Sequence, residues 1–374
     1  MHTFVKPSVD AGAMTLDAHW YTSEDVFATE RERIFGRSWV CVGREEQLEQ
    51  AGDYFLADVA GESVIVVRDG SDEVNAFFNV CRHRGTRLCS AESGHLIGSV
   101  QCPYHAWTWS LSGALLAARN MQQVEGFDRA DYPLLRAHVA IAGGFVFVCV
   151  ASEAERLAEP LALLRDKLER WDSANLRSAG RVEYDVAANW KLIVQNYSEC
   201  YHCPVIHPQL DKLSPSDSGR NDFDEGAILG GYSELREHGG ALSTTGKRSR
   251  AAVGTVDGAD LDRTYYYSVF PSMLLSLHPD YVMVHTLHPL AAGRTHVECS
   301  WYFDPRVIAA PGFDPSDVLD FWDLTNRQDW RVSEQTQLGM QSRAYRRGPY
   351  SNAEGLLRAF DRHYIATMEA EPAE

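Results

Sequence analysis

Residues 81–107 read CRHRGTRLCSAESGHLIGSVQCPYHAW and carry three cysteines and three histidines. Two Cys/His pairs stand out among them, Cys81-x-His83 and Cys102-x-x-His105, with residues 84–101 between. Thiolate and imidazole are both strong metal ligands, and short loops can bring such pairs together. On either side, from Trp39 to about Val150, short β-rich runs alternate with turn residues: WVCVG, YFLADV, SVIVVRD, AFFNV, LIGSVQC, HAWTWSL and VAIAGGFVFVCV. The pairs are expected to sit in a compact all-β domain over residues 38–155, with residues 1–37 and 156–374 forming a second domain.

The order of residues inside the pairs discriminates between metals. Zinc accepts two cysteines and two histidines, but zinc-finger spacing places both cysteines in one pair and both histidines in the other. Here each pair holds one of each. That mixed order fits a [2Fe-2S] cluster in which two cysteines take one iron, two neutral imidazoles take the other, and the imidazoles raise the reduction potential. Tyr104 and Trp107 flank the ligands, either as core aromatics or as an apolar shell that tunes the sulfurs. Cys89 and His95, between the pairs, read as structural.

Beyond this module the pattern changes. TSEDVFATERERIFG, upstream, predicts a helix capped by Thr22 or Ser23 and ended by Gly36. Downstream, EPLALLRDKLERW predicts a helix, VEYDVAANW a strand, and NWKLIVQNYSECYH a helix that Pro204 breaks. Residues 208–260 are rich in Gly, Ser and Asp, show little periodicity and read as a long mobile loop. YYYSVF follows, then a hairpin of DYVMVHTLHPL and THVECSWYF joined by AAGR, a long helix from about Ser316 to Ser342, and a last helix at AEGLLRAFDRHYIATM.

Composition narrows the partners. The 374 residues carry 35 basic and 52 acidic side chains, a net charge of −17 that offers no footprint for phosphate backbones or anionic lipid. Nucleic acid and membrane surface are therefore poor partners. No run is long and apolar enough to span a bilayer, and MHTFVKPSVDAGAM lacks the basic start and apolar core of a secretory signal, so a cytoplasmic location is expected. Eight cysteines in such a chain point to free thiols and metal ligands rather than a disulfide ladder.

NWKLIVQNYSECYHCPVIHP supplies the second constellation, with Glu199, His202 and His207 close in sequence. Histidines five apart diverge by about 140° on an unbroken helix, and Pro204 is read as the break that lets the second swing back. Cys200 and Cys203 form a CxxC, a pattern of thiol redox or zinc chemistry, although no second CxxC completes a zinc site. An oxygen-activating iron with two histidines needs one carboxylate, which leaves open positions for substrate chemistry. In DVLDFWDLTNRQDWRVSEQTQLGMQS, Val318, Trp322, Thr325, Val332, Thr336 and Met340 lie within about 60° of Asp329 on a helical projection. Asp320, Asp323 and Glu334 line up instead with charged and amide side chains. A carboxylate on an apolar stripe needs a partner, because burying it bare is costly. Asp329 is the expected third ligand.

Taken together, NVCRHRGTRL with CPYHAW, NWKLIVQNYSECYHCPVIH and NRQDWRVSEQTQLG resemble the Rieske non-haem iron oxygenases, in their catalytic alpha subunit, over nearly the whole chain. The resemblance implies an α+β fold: an all-β Rieske [2Fe-2S] domain plus a helix-grip, START-like catalytic domain with an antiparallel sheet and long helices. It implies that Cys81, His83, Cys102 and His105 bind the cluster and that His202, His207 and Asp329 hold a mononuclear Fe(II). It further implies a homotrimer in which Glu199 bridges one subunit's iron to a neighbour's cluster, and a separate NAD(P)H-dependent reductase. The substrate is then a small organic molecule, oxidised with O2. Most ring-hydroxylating members have aspartate where this chain has Glu199. Glutamate is typical of the branch acting on quaternary ammonium compounds, namely choline and carnitine monooxygenases and glycine betaine and stachydrine demethylases. An aromatic cage for a trimethylammonium head could come from YYYSVF, Tyr197, Tyr201 or Trp301. The expected reaction is thus hydroxylation or oxidative N-demethylation of a betaine. Alternatives are ring hydroxylation or O-demethylation of an aromatic acid by the same machinery, a Rieske electron carrier, or a zinc-stabilised module. Ala106 departs from the family's usual glycine and bears on the local backbone.

Overall fold

The computed structural model describes residues 4–154 and 158–370, which fall into two compact units, residues 35–161 and residues 1–34 with 162–374. The smaller unit is built of ten strands: β1 Val40–Arg44, β2 Asp53–Val59, β3 Glu62–Arg68, β4 Val74–Phe78, β5 Ser93–His95, β6 Ser99–Gln101, β7 Thr108–Ser110, β8 Leu115–Ala117, β9 Arg136–Ala142 and β10 Phe145–Cys149. Seven form one antiparallel sheet in the order β1-β10-β9-β4-β3-β2-β5, and β6-β7-β8 form a second. Val64, Ile65, Val66 and Val67 of β3 are all fully buried, as expected of a β-branched run covered on both faces. Ile65 and Val67 join Phe77, Trp107, Trp109, Cys81 and Cys102 in one core, so the two Cys/His loops are rooted in it. The three-residue strands β5 and β8 are too short for periodicity to reveal.

The larger unit holds a seven-stranded antiparallel sheet of β11 Arg177–Val186, β12 Arg220–Phe223, β13 Ile228–Glu234, β14 Arg263–Val269, β15 Met273–Leu277, β16 Val282–Ala291 and β17 Arg294–Phe303, in the order β11-β17-β16-β15-β14-β13-β12. The expected hairpin is β16 and β17, with Ala291 opposite Arg294 at its tip. The long helix Ser316–Met340 approaches β11 so closely that a Cβ on Gly180 would lie 2.5 Å from Leu319. The expected α+β architecture is what the chain adopts.

Two expectations need correction. Residues 208–260 are not a structureless loop: they contain the helix Pro208–Leu213 and strands β12 and β13, which close one side of the sheet. Gly230 and Gly231, which read as loop residues, are strand residues under close approach. A Cβ at Gly230 would fall 1.9 Å from the Tyr266 carbonyl oxygen and one at Gly231 1.9 Å from that of Arg220, and Gly230 has φ +147°. Gly230→Ala is expected to cost at least ~3 kcal/mol, because strain and overlap with backbone act together. An unchanged thermal midpoint would contradict it.

Second, the helix predicted to run to His202 ends at Tyr197, where the Ser198 N–H bonds the Val194 and Gln195 carbonyls. Pro204 starts the short helix Cys203–Ile206 instead of breaking a longer one, since in a first turn its missing N–H costs nothing. The upstream helix forms as expected: Glu24–Glu30 is capped by Ser23, whose Oγ accepts from the Val26 N–H, and it runs on as a π-helical turn over Arg31–Phe35 up to Gly36.

A buried polar knot fixes the helix Trp190–Tyr197. Glu30 and Lys191, both fully buried, form an ion pair, and Glu30 also accepts from Trp190 Nε1 at 2.9 Å and the Tyr364 hydroxyl at 2.6 Å. A buried pair this well hydrogen-bonded is costly to break from one side. It ties the helices Glu24–Glu30, Trp190–Tyr197 and Gly355–Glu369 together and so sets where the segment after Tyr197 emerges.

Candidate active site

That segment delivers Glu199 and His202 onto the sheet, and the junction of Cys203–Ile206 with Pro208–Leu213 delivers His207. The long helix presents Asp329 opposite them. Among the described residues, His202, His207 and Asp329 offer ligand atoms all within 4.8 Å of one another. His207 Nε2 lies 2.7 Å and His202 Nε2 3.3 Å from the same Asp329 Oδ1. The Nδ1 atoms face away to acceptors, His202 to Glu199 Oε1 at 2.5 Å and His207 to Gln328 Oε1 at 2.7 Å. With Nδ1 protonated in both rings, each Nε2 lone pair is free to bind metal, the tautomer that carboxylate and amide acceptors impose on metal-binding histidines.

The electrostatics favour a cation here. Burial alone would lower the His202 pKa, but hydrogen bonds to Asp329 and Glu199 outweigh it and raise it to about 10. Burial likewise opposes ionisation of Asp329, and the two histidines hold its pKa below the usual carboxylate value. Two imidazoles, one carboxylate and open space suit Fe(II). The buried face of the long helix is centred on Asn326, Trp330, Ser333 and Gln337 rather than on Asp329; Thr336 is exposed, and the Asp329 side chain, 17% exposed, opens onto a cavity.

The cavity, about 350 Å³, is lined by Glu199, the three metal-binding candidates and six aromatic rings: Tyr197, Tyr201, Tyr232, Tyr266, Trp322 and Trp330. Of the aromatics expected to form a cage, Tyr197, Tyr201 and Tyr266 do line it; Tyr265, Tyr267 and Trp301 are absent from its walls. Trp322 was already visible on the Asp329 stripe and Trp330 follows Asp329 directly, whereas nothing local marked Tyr232. Gln328 was also missed, although its place beside Asp329 was the available signal.

His285 lies in the same wall, 2% exposed, with Nε2 3.1 Å from Asn326 Oδ1. Burial pushes its pKa down to about 4. As pH falls below the unfolded value of about 6.5, the unfolded chain takes a proton that the folded chain refuses, so stability is lost toward pH 4. His285→Gln, which keeps a donor toward Asn326, is expected to shrink the stability loss between pH 7 and pH 5 by about 2 kcal/mol. Urea midpoints at the two pH values read this directly, and equal losses in both chains would refute it.

In the smaller unit the two Cys/His loops share one backbone design. The Cys81 N–H bonds the Thr86 carbonyl and the Cys102 N–H the Trp107 carbonyl, both at 2.8 Å. Gly85 and Ala106 each donate back to the preceding cysteine's carbonyl, at 3.0 and 3.1 Å, and both have positive φ, +76° and +56°. Ala106 thus adopts the backbone that glycine would, at a cost of about 1 kcal/mol. The loops point two buried thiols, 4% and 1% exposed, at one another, and burial pushes the Cys81 thiol pKa up. The His83 and His105 rings sit 4.8 Å apart on the outer side. This sorting, sulfur with sulfur inside and nitrogen with nitrogen outside, fits two irons better than one zinc.

Asn79, overlooked in the sequence, pins the first loop: its Oδ1 accepts from the Leu88 and Cys89 N–H groups at 2.9 and 3.0 Å. Trp107 is buried and stacked on His83 at 5.0 Å, while Tyr104 is exposed and packs on His105 at 3.7 Å. Cys89 is in the core, and His95 pairs with Asp53 at 2.8 Å.

Residues 38–128 match the Rieske [2Fe-2S] domain, and residues 173–370 match the catalytic domain of the ring-hydroxylating alpha subunit. The chain is a Rieske oxygenase alpha subunit. As a member of that family it is an oxidoreductase that uses a [2Fe-2S] cluster and a non-haem iron, with O2 as oxidant and electrons from a separate reductase. This Rieske oxygenase is 30% identical over 367 residues to the glycine betaine monooxygenase oxygenase subunit of Pseudomonas aeruginosa strain UCBPP-PA14, covering 91% of this chain and 85% of that one. It is 32% identical over 340 residues to the carnitine monooxygenase oxygenase subunit of Escherichia coli strain K12, covering 89% and 86%. Its fold superimposes on the crystal structure of a quaternary ammonium Rieske monooxygenase in complex with L-carnitine with a TM-score of 0.77, at 27% identity and 96% coverage of both chains. No helix among the described residues of this oxygenase is long and apolar enough to cross a membrane.

Proposed function

We propose that this oxygenase oxidises a small quaternary ammonium compound, by hydroxylation or oxidative N-demethylation of a betaine. The observation that carries the reading is the aromatic-walled cavity of about 350 Å³ that opens on His202, His207 and Asp329. Tyrosine and tryptophan faces attract a trimethylammonium head that no hydrogen bond can hold, by roughly 0.5–2 kcal/mol each. Lys6 and Arg220 line the same cavity and offer positive charge to a carboxylate at the other end of the substrate.

In this reading Cys81 and Cys102 hold one iron of the cluster and His83 and His105 the other, while His202, His207 and Asp329 hold the mononuclear iron. When bound, the cluster supplies single electrons and the mononuclear iron supplies oxygen activation. Glu199 and Gln328 fix the histidine tautomers, and the aromatic walls exclude water and hold an N-methyl carbon toward the triad. A hydroxylated N-methyl group then breaks down to formaldehyde and the demethylated amine. Glu199, 11% exposed and bonded to His202, is the electron-transfer bridge toward the cluster of a neighbouring subunit. A homotrimer supports that route, and exposed apolar side chains beside both metal sites favour one: Tyr104 in the smaller unit, Tyr201 and Val205 in the larger.

The test is turnover with a reductase and NAD(P)H against a panel of betaines, carnitine, choline and aromatic acids. Formaldehyde or a hydroxylated betaine is the expected product. Ring diols or O-demethylated acids, with no response to quaternary amines, would overturn the substrate class.

A further inference from the structure

We propose that Cys200 and Cys203 are an oxidative modification site, a dithiol that peroxide closes to a disulfide and whose closure clamps the iron-binding loop. The proposal rests on the reading of His202 and His207 as iron ligands. The cysteines were expected to be free thiols or metal ligands, with the 200–203 CxxC also readable as a thiol-redox or zinc pattern; Cys200 and Cys203 form a disulfide while the other six are free. Their Cα atoms lie 4.9 Å apart, within the usual span for a bridge.

Position gives the bridge its consequence. The ring from Cys200 to Cys203 encloses His202, and Glu199, immediately before it, accepts from the Tyr201 and His202 N–H groups. The Cys203 carbonyl accepts the His207 N–H at 2.8 Å, so the bridge touches the backbone of both histidines. Cys200 and Cys203 line the same cavity as the metal-binding triad, and no other cysteine does. Cys200 is half-buried and Cys203 is 2% exposed, which makes Cys200 the sulfur that a diffusing oxidant meets first.

An oxygenase generates that oxidant itself when two electrons and two protons reach O2 and no C–H bond is broken, the product being hydrogen peroxide. Cys200 Sγ attacks one peroxide oxygen, the O–O bond breaks, and the leaving hydroxide departs as water with the thiol proton, giving a sulfenic acid. Cys203 Sγ then attacks the Cys200 sulfur, the S–O bond breaks, and a second water leaves. Two thiols and one peroxide become one disulfide and two waters, and a dithiol reductant of the thioredoxin class reverses the step by exchange. The closed ring removes backbone freedom around His202, so iron is held more tightly while misfired turnover persists.

The test uses holoenzyme with both metal sites loaded, reduced by a phosphine and desalted. One portion is exposed to stoichiometric peroxide, and ascorbate then brings the iron of both portions to the ferrous state. Peptide mapping after alkylation is expected to find the 200–203 pair blocked only in the peroxide portion. Iron loss to a ferrous chelator is expected to be about tenfold slower there, the scale of effect for groups that support metal ligands. The Cys200→Ser/Cys203→Ser chain is expected to release iron at the faster rate with or without peroxide. Full alkylation of the pair after peroxide, or equal release rates in the two wild-type portions, would overturn the clamp. Asp329→Ala in the same assay separates the readings: iron retained there sinks the ligand assignment and the clamp with it, whereas iron lost there alongside equal wild-type rates sinks the clamp alone.

Discussion

Asp329→Ala is expected to abolish mononuclear iron binding and lower product formation by at least ~100-fold, since removing even the groups that support ligands costs 10–100-fold. Asp329 Oδ1 is the atom on which both histidine Nε2 atoms converge. Without it the ligand set is two imidazoles with no carboxylate, a weak set for Fe(II). The loss should be local. Glu199 and Gln328 still orient the histidines, and the loops of Cys81, His83, Cys102 and His105 belong to the other compact unit, so the visible absorption of the cluster is expected to persist. Iron analysis with the absorption spectrum checks both halves, and an Asp329→Ala protein with full iron content would end the assignment.

Glu199→Gln is expected to show the second largest effect, with a different signature. The amide can still accept from His202 Nδ1 and from the backbone N–H groups, so both metal sites should stay loaded. What disappears is the negative charge that, with Asp329, raises the His202 pKa against the effect of burial. Product per cluster oxidised is expected to fall ~10–100-fold. Single-turnover experiments that follow cluster absorption and product together decide it, and unchanged coupling would remove Glu199 from the electron route. Glu199→Asp restores the charge one methylene short and should recover part of the coupling.

Much of this was readable from sequence because metal chemistry is written in short spacings. The mixed Cys/His order pointed to the cluster, and helical periodicity singled out Asp329, which lies beside His202 and His207, even though the buried face turned out to be centred elsewhere. Alternation likewise disclosed the β16–β17 hairpin. Strands β12 and β13 were hidden because their support is non-local: Gly230 and Gly231 have no β-propensity, and their place is fixed by the Tyr266 and Arg220 carbonyls on neighbouring strands. Pro204 misled for a related reason. A proline after a histidine reads equally as the end of one helix or the start of the next, and only the turn following Tyr197 decides which. Gln328 meets His207 only through tertiary proximity, with its place beside Asp329 as the one local signal, whereas the Cys200–Cys203 bridge closes a CxxC that the sequence displays.

Ala106 has a consequence for how such proteins are found. Its loop repeats the hydrogen bonds of the Gly85 loop at φ +56°, so glycine there is an energetic preference and not a geometric requirement. A penalty of about 1 kcal/mol is small against the 5–15 kcal/mol that stabilises a typical folded chain, and drift can cross it in a single substitution. Any search pattern that demands glycine after the second histidine will pass over chains like this one. A pattern built on the two five-residue backbone closures would retain them.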